Sequence, residues 1–255
     1  MFAIVISILA GAGAGIGTGL AGMSAATIIS PVLVTFLGME AYSAIGIALA
    51  SDVLASAVSA YTYKKNNNVD IKNGIKLMIP VLIFTLIGSY VSSLVDNTAM
   101  GALSLFGTLG MGLKFLFFPV KKTKDDMEPL NSFKRRLFRI LGGVVVGFIC
   151  GFTGAGGGIM MLLVLTVVLG FELKTAVGTS VFIMAFTAFT GSVSHFTLTD
   201  LPDFKCLIIC SISTLIFARL SANYANKITP KLLNKTLGYS LTFLGIVLIL
   251  INYLF

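Results

Sequence analysis

Apolar residues gather into ten blocks along the chain, separated by short polar clusters: about 1–20, 25–38, 41–62, 75–95, 98–118, 139–153, 157–170, 175–195, 204–224 and 236–253. A helix that crosses a bilayer needs roughly 20 consecutive apolar residues. Most of the blocks approach that length, but 25–38, 139–153 and 157–170 do not. These three are predicted to be half-helices or re-entrant pieces, buried inside protein where an interrupted backbone can be satisfied. The pattern predicts an all-α polytopic membrane protein.

Composition agrees. Hydrophobic residues make up 56 % and charged residues 11 % of the chain, with a mean hydropathy of +0.99, whereas a soluble domain carries about 25 % charged residues. The first charged residue is Glu40 and the first basic one Lys64. Residues 1–20 therefore lack the basic start of a secretory signal peptide and read as a retained membrane segment. The longest polar run, about 121–136, is a loop rather than a domain.

The blocks repeat. Gly11, Gly15, Gly19, Gly22, Gly38 and Gly46 recur 132 positions later, without a gap, as Gly143, Gly147, Gly151, Gly154, Gly170 and Gly178. Leu33, Glu40 and Ala44 recur as Leu165, Glu172 and Ala176. The chain thus divides into repeat 1 at 1–120, a basic linker at 121–138 and repeat 2 at 139–255. Fixed-period self-similarity of this kind marks a duplicated structural unit.

Charge sets the orientation. If the loops alternate sides, 17 of the 18 basic residues fall on one side, and only Lys205 falls on the other, beside Glu40, Asp96, Asp200 and Asp203. The positive-inside rule puts the lysine-rich loops in the cytoplasm of a cell membrane and both termini outside. Glu40 then faces out while its mate Glu172 faces in. Five segments per half, an odd number, make the two repeats inverted relative to one another. The net charge of +8 reflects cytoplasmic loops near anionic lipid and calls for no nucleic acid partner.

Each half opens with a glycine-broken hairpin. The stripes Gly11-Gly15-Gly19 and Gly143-Gly147-Gly151 put small residues on one helix face and allow close helix packing, either within one chain or across a homodimer. Each stripe then runs into a break: Gly22-Met23-Ser24-Ala25 in the first half and Thr153-Gly154-Ala155-Gly156-Gly157-Gly158 in the second. Three successive glycines cost helix stability, about 1 kcal/mol each relative to alanine. They make sense where backbone must turn or touch something. A helix starting at such a break presents free N–H groups and a positive dipole end. In inverted halves, the breaks near Gly22 and Gly154 are expected to meet near the midplane and hold an anion without a lysine. A tight intramembrane turn with no ligand is the alternative.

These residues resemble the TauE/SafE sulfite exporter family. Repeat 2 carries the likeness in Gly147-x3-Gly151-Phe152-Thr153-Gly154-Ala155-Gly156-Gly157-Gly158, Gly170, Ala176-Val177-Gly178-Thr179-Ser180, Gly191-x3-His195 and Asp200. Repeat 1 follows with Gly15-x3-Gly19-Leu20-Ala21-Gly22, Pro31, Gly38, Ala44-x-Gly46 and Val69-Asp70. The chain departs from the family pattern at Ser24-Ala25, at Gly46-Ile47-Ala48 and at Leu163, where a proline would answer Pro31. The resemblance implies a membrane exporter of sulfite, sulfonates or related small sulfur and organic anions.

Four further residues carry candidate chemistry. Asp52 is the only acid deep within an apolar block, where an isolated one costs about 2.5–3.5 kcal/mol on insertion scales. It could carry a proton, bind a cation or fasten two helices. Thr179 and Ser180 could donate to an anion or cap a helix. His195, the sole histidine, is a gate or proton candidate or simply a hydrogen-bonded structural residue. The predicted substrate site is thus Gly22, Met23, Ser24, Thr153, Gly154, Gly156, Gly157, Gly158, Thr179 and Ser180, with Asp52 and His195 as coupling or gating residues. Cys150, Cys206 and Cys210 lie in apolar segments and offer no metal-ligand set, so neither metal nor cofactor is predicted. An enzyme would need convergent acid–base groups, which one histidine and one buried acid do not supply. The competing expectation is a membrane scaffold or partner subunit that moves no solute.

Overall fold

A computed structural model describes residues 1–92, 109–110, 112–123, 125–126, 133–153, 157–198 and 202–254. Among them all regular structure is helical. The first half contains α1 (Phe2–Ala21), α2 (Ala26–Leu37), α3 (Ala41–Lys65) and α4 (Ile71–Ser92). The second contains α5 (Phe133–Thr153), α6 (Gly157–Leu163), which runs on through a π turn at Val164–Val168, then α7 (Leu173–Leu198), α8 (Phe204–Lys227) and α9 (Pro230–Leu254). The predicted segment 98–118 lies largely outside the described residues, although 112–117 is helical.

Local chemistry sets the helix ends. Gly22, Gly38 and Gly170 adopt φ of +63°, +61° and +71°, a left-handed conformation open to glycine at low cost. The first two close α1 and α2, and Gly170 follows the π turn. Carboxylates begin α7 and α8: Glu172 accepts from the Thr175 N–H at 2.9 Å and Asp203 from the Lys205 N–H at 2.9 Å. Each satisfies N–H groups that the first helical turn leaves unpaired. The bounds of α1 to α4 recur in α5 to α8 at the 132-residue spacing to within a few residues. Where α2 carries Pro31, α6 carries Leu163 and passes at once into its π turn.

Five of the described helices contain spans long and apolar enough to cross a membrane: Phe2–Ala21, Ser43–Lys65, Ile71–Val91, Leu173–Thr197 and Phe204–Lys227. Ile79, Ile83, Leu86 and Tyr90 on α4 stand exposed, as do Ile208, Ile212, Ile216 and Leu220 on α8. Such continuous apolar faces do not suit water, and a bilayer is their natural surrounding. α2 and the α6–π segment, Gly157–Val168, are short apolar helices, matching the expected short pieces at 25–38 and 157–170.

The third short piece is different. The segment 139–153 was predicted to be a half-helix, but α5 is 21 residues long and begins at Phe133. Its first turns take in the basic cluster that reads as loop from charge alone. Lysine and arginine are good helix formers. Arg139 is 7 % exposed and donates from Nη1 to Asn73 Oδ1 at 3.1 Å. That bond ties the start of α5 to the start of α4. In the linker, Asp126 accepts from the Thr123 N–H at 2.9 Å and the Thr123 hydroxyl at 2.7 Å, which holds its carboxyl below the usual carboxylate range.

The halves exchange partners. α1 packs along α8 and α5 along α4, while α3 packs on α7. The glycine stripes make these contacts close. A Cβ on Gly15 would lie 2.8 Å from Ala218 N, and one on Gly147 would lie 2.8 Å from Val81 Cα. Both stripes are therefore occupied within the chain. Ser221 Oγ donates to Gly15 O at 3.1 Å, and Ser89, 132 positions earlier, donates to Gly151 O at 3.3 Å. Buried apolar side chains form two clusters. Leu20, Ala21 and Met23 belong to one, and Ala25, Ala26 and Ile29 to the other. The first glycine break thus lies where the two clusters meet.

Candidate functional site

The first break is built by α1 ending at Gly22. The Gly22 N–H reaches Thr18 O at 2.9 Å and the Met23 N–H reaches Gly17 O at 3.4 Å, so the left-handed residue satisfies carbonyls the helix would leave open. Residues 22–25 are not helical, and the chain restarts at Ala26. Ser24 Oγ accepts from the Ala26 N–H at 3.3 Å. Met23, Ser24, Ala25 and Ala26 are each 1 % exposed or less. This is interrupted backbone enclosed by protein, the condition under which a membrane tolerates it.

The start of α6 lies against the first break. Gly157 and Gly158 open α6, and a Cβ added to Gly158 would fall 2.7 Å from Ser24 N and 2.9 Å from Met23 C, with Gly22 O nearer still. Backbone meets backbone with no room for a side chain. Ser180, fully buried on α7, has its hydroxyl 3.3 Å from Gly22 O and 3.5 Å from Gly158 O, so one side chain spans both breaks. Gly154 and Gly156 lie outside the described residues, and Thr153 is the last residue of α5.

Thr179, adjacent to Ser180, has a different task. Its Oγ1 accepts from the Asp70 N–H at 3.0 Å. Asp70 in turn accepts from the Asn73 N–H at 3.0 Å. Thr179 therefore holds the α3–α4 loop against α7. The same loop places the Asn68 amide 2.7 Å from Asn226 Oδ1, and Lys174 Nζ donates to Asn226 O at 2.9 Å. One end of α7 and α8 is thus tied to the loop by a compact polar network.

Asp52 comes to the first break from α3. It is fully buried, and its Oδ1 accepts from the Ser56 hydroxyl at 2.8 Å. The Ser24 side chain and the Ala25 backbone also stand beside the carboxylate. Among the described residues no group bonds its Oδ2 within hydrogen-bond distance, a rare condition for a buried polar atom. The carboxylate therefore sits at the start of α2, where the helix dipole is positive. His195 lies far along α7, 7 % exposed, with its Cβ 3.5 Å from the position a Gly46 Cβ would take. Asp200, its neighbour in sequence, falls outside the described residues.

Two residues at the site carry no sequence motif. Cys150 on α5 faces Gly157, where an added Cβ would lie 2.7 Å from the cysteine Cβ. Tyr63 is fully buried, and its hydroxyl donates to Gly19 O, one turn before the break, at 2.9 Å. In sequence each is one more member of an apolar block. The signal that could have found Tyr63 is the repeat spacing, which pairs it with His195. Among the described residues no group of three or more acidic, histidine or cysteine side chains is placed to hold a metal ion.

Apolar helices of membrane-crossing length, exposed apolar faces and a buried backbone break define a helical multi-pass membrane protein. The sequence profile of the family described as Sulfite exporter TauE/SafE matches residues 7–248. The chain belongs to this family of membrane transporters. It is 30 % identical to the Probable membrane transporter protein YunE of Bacillus subtilis over 194 residues, 71 % of each chain. It is 24 % identical to a probable membrane transporter protein of Methanocaldococcus jannaschii over 220 residues, 81 % of this chain and 79 % of the relative. It is 22 % identical to the Probable membrane transporter protein YdhB of Bacillus subtilis over 225 residues, 87 % of this chain and 90 % of the relative. No solved structure matches it.

Proposed function

We propose that this transporter exports small anions, sulfite, sulfonates or related sulfur and organic anions, by alternating access around the point where the two glycine breaks touch. The observation that carries the reading is the backbone contact of Gly158 with Gly22 and Ser24 beneath the Ser180 hydroxyl. Polar backbone brought together inside an apolar protein, at the start of α2, offers N–H donors and a positive dipole end to an anion. The reciprocal packing of α1 on α8 and α5 on α4 supports two inverted repeats, 1–120 and 139–255, joined by the 121–138 linker. Rocking of one repeat against the other would open the site to each side in turn. The segregation of lysine and arginine supports a plasma-membrane orientation with cytoplasmic basic loops and external termini.

Asp52 fits this site as its internal counter-charge. An ionised carboxylate at the start of α2 occupies the pole that a substrate anion would use, and the two repel. Protonation of Asp52 frees that pole. Its repeat mate is Met184, so each anion crosses with at most one such proton exchange. Export itself needs no coupling ion, because an interior-negative membrane drives one anionic charge outward by about 2.3 kcal/mol per 100 mV.

The test is the current in proteoliposomes after a sulfite jump, with sulfonates, sulfate and acetate as comparisons. A sulfite-selective current abolished by Gly158→Leu in folded protein supports the assignment. Equal currents in the variant overturn the site, and silence with every anion, by tracer flux as well as by current, overturns transport.

A further inference from the structure

The helical stretch 112–117 and α9 run side by side at close range. A Cβ on Gly238 would lie 2.7 Å from Leu116 Cγ, and one on Gly112 would lie 2.6 Å from Thr242 Oγ1. Beyond Leu116 the helical stretch ends, and Val120 stays bonded to Asn234 on the first turns of α9. A cleft of about 390 Å³ opens there, with Phe115, Leu116 and Val120 among its apolar lining and Lys121, Lys231 and Lys235 around it. Its floor is rigid. Asn234, 3 % exposed, accepts from the Val120 N–H at 2.8 Å and donates to Val120 O at 2.9 Å. The cleft also sits at the first turn of α9, whose dipole is positive there. Three lysines, a helix start and apolar walls answer a ligand that is anionic at one end and greasy at the other.

The surroundings specify which ligand. Leu232, Tyr239, Phe243, Ile246 and Leu250 are exposed along α9, and at 100° per residue they fall on one face, beside the one that lines the cleft. An acyl chain can lie along that face while its headgroup enters the cleft. Lys121 lies in the basic linker and Lys231 and Lys235 in the first turns of α9, and anionic lipid is recognised by basic pockets between membrane helices on the lysine-rich side.

We propose that this cleft binds the phosphate headgroup of an anionic phospholipid from the lysine-rich side of the membrane. The site is separate from the glycine breaks and does not depend on which anion the protein moves. Each lysine contributes about fivefold to affinity.

The experiment measures thermal unfolding of the full chain in neutral detergent, with phosphatidylglycerol, phosphatidylcholine or inorganic phosphate added. Phosphatidylglycerol should raise Tm in the wild type, and phosphatidylcholine and phosphate should not. Combined Lys121→Gln, Lys231→Gln and Lys235→Gln substitution should abolish the rise. Lys72→Gln with Lys76→Gln, two exposed lysines on α4, should leave it intact. The proposal fails if phosphatidylcholine stabilises equally, if phosphate alone reproduces the shift, or if the effect survives the triple substitution. It fails too if the α4 pair loses the shift equally. Should the triple variant not fold, lipid retained on native mass spectrometry of Lys231→Gln alone decides it: retention equal to wild type overturns the site.

Discussion

Tyr63 and His195 occupy matching positions in the two halves, 132 residues apart, and each packs on a glycine of the other half. Tyr63 Cβ lies 2.8 Å from where a Gly178 Cβ would be, and His195 Cβ lies 3.5 Å from the Gly46 equivalent. Gly178 and Gly46 are themselves a repeat pair. The contacts are alike in plan and unequal in tightness. Behind Gly178 stands the Asn68 carbonyl, whereas behind Gly46 stands the ring of Phe196. A ring can turn aside, and a backbone carbonyl held by its loop cannot. Gly178→Ala should therefore cost more stability than Gly46→Ala, by about 1–3 kcal/mol for an overpacked position. Thermal unfolding of the two variants side by side checks the ranking, and equal losses would show that the loop gives way.

Removing the Tyr63 hydroxyl tests the bond to α1. Tyr63→Phe leaves Gly19 O, a carbonyl near the end of its helix, without its side-chain donor. A buried acceptor so stranded costs about 1–3 kcal/mol. In a chain of this size each kcal/mol lowers Tm by about 2–4 °C. An unchanged Tm would mean that another donor replaces the hydroxyl.

Gly158→Ala is the smallest change that separates the two breaks. Its methyl meets Ser24 N and Gly22 O, so anion flux should be lost even where the protein remains folded. Gly13→Ala is the control: its nearest neighbour is Ile28 Cγ2 at 3.6 Å, an ordinary contact. Flux in the control should match wild type, with stability equal or slightly higher because alanine favours the helix. Loss of flux in both variants would divorce transport from the break.

Asp52→Asn separates charge from shape. If the ionised carboxylate excludes the substrate anion, flux is high where Asp52 is protonated and falls as pH rises through its titration. Asparagine removes that dependence. Methanesulfonate is the useful substrate, since its own charge is constant over the range and any slope belongs to the protein. Among the described residues, Cys150 on α5 also feels the Asp52 charge, and Cys150→Ala should keep the slope. A slope that persists in Asp52→Asn would rule out the carboxylate as its source.

Much of this architecture was legible from hydropathy and spacing. The glycine offset located the matching elements, the two short apolar blocks became α2 and the α6–π segment, and the stripes marked the tightest helix contacts. What spacing could not give was direction. Thr179 and Ser180 are neighbours of similar chemistry, yet one hydroxyl meets the Asp70 N–H and the other the two breaks. That choice follows from which helix faces α7 on each side. The length of α5 was hidden for a related reason: the basic run at 134–136 reads as loop until the bond from Arg139 to Asn73, distant in sequence, is in view.

Pro31 and the π turn that follows Leu163 solve one mechanical problem in two ways. A proline leaves one helical hydrogen bond permanently unmade, because the donor it lacks cannot be restored. A π turn is a register choice, one residue looser than the α-helix around it, and it can be undone by sliding the hydrogen bonds back by one carbonyl. The two halves are therefore not mechanical equals. α2 runs through Pro31 with one backbone donor permanently missing, whereas the second half carries a turn whose register can change.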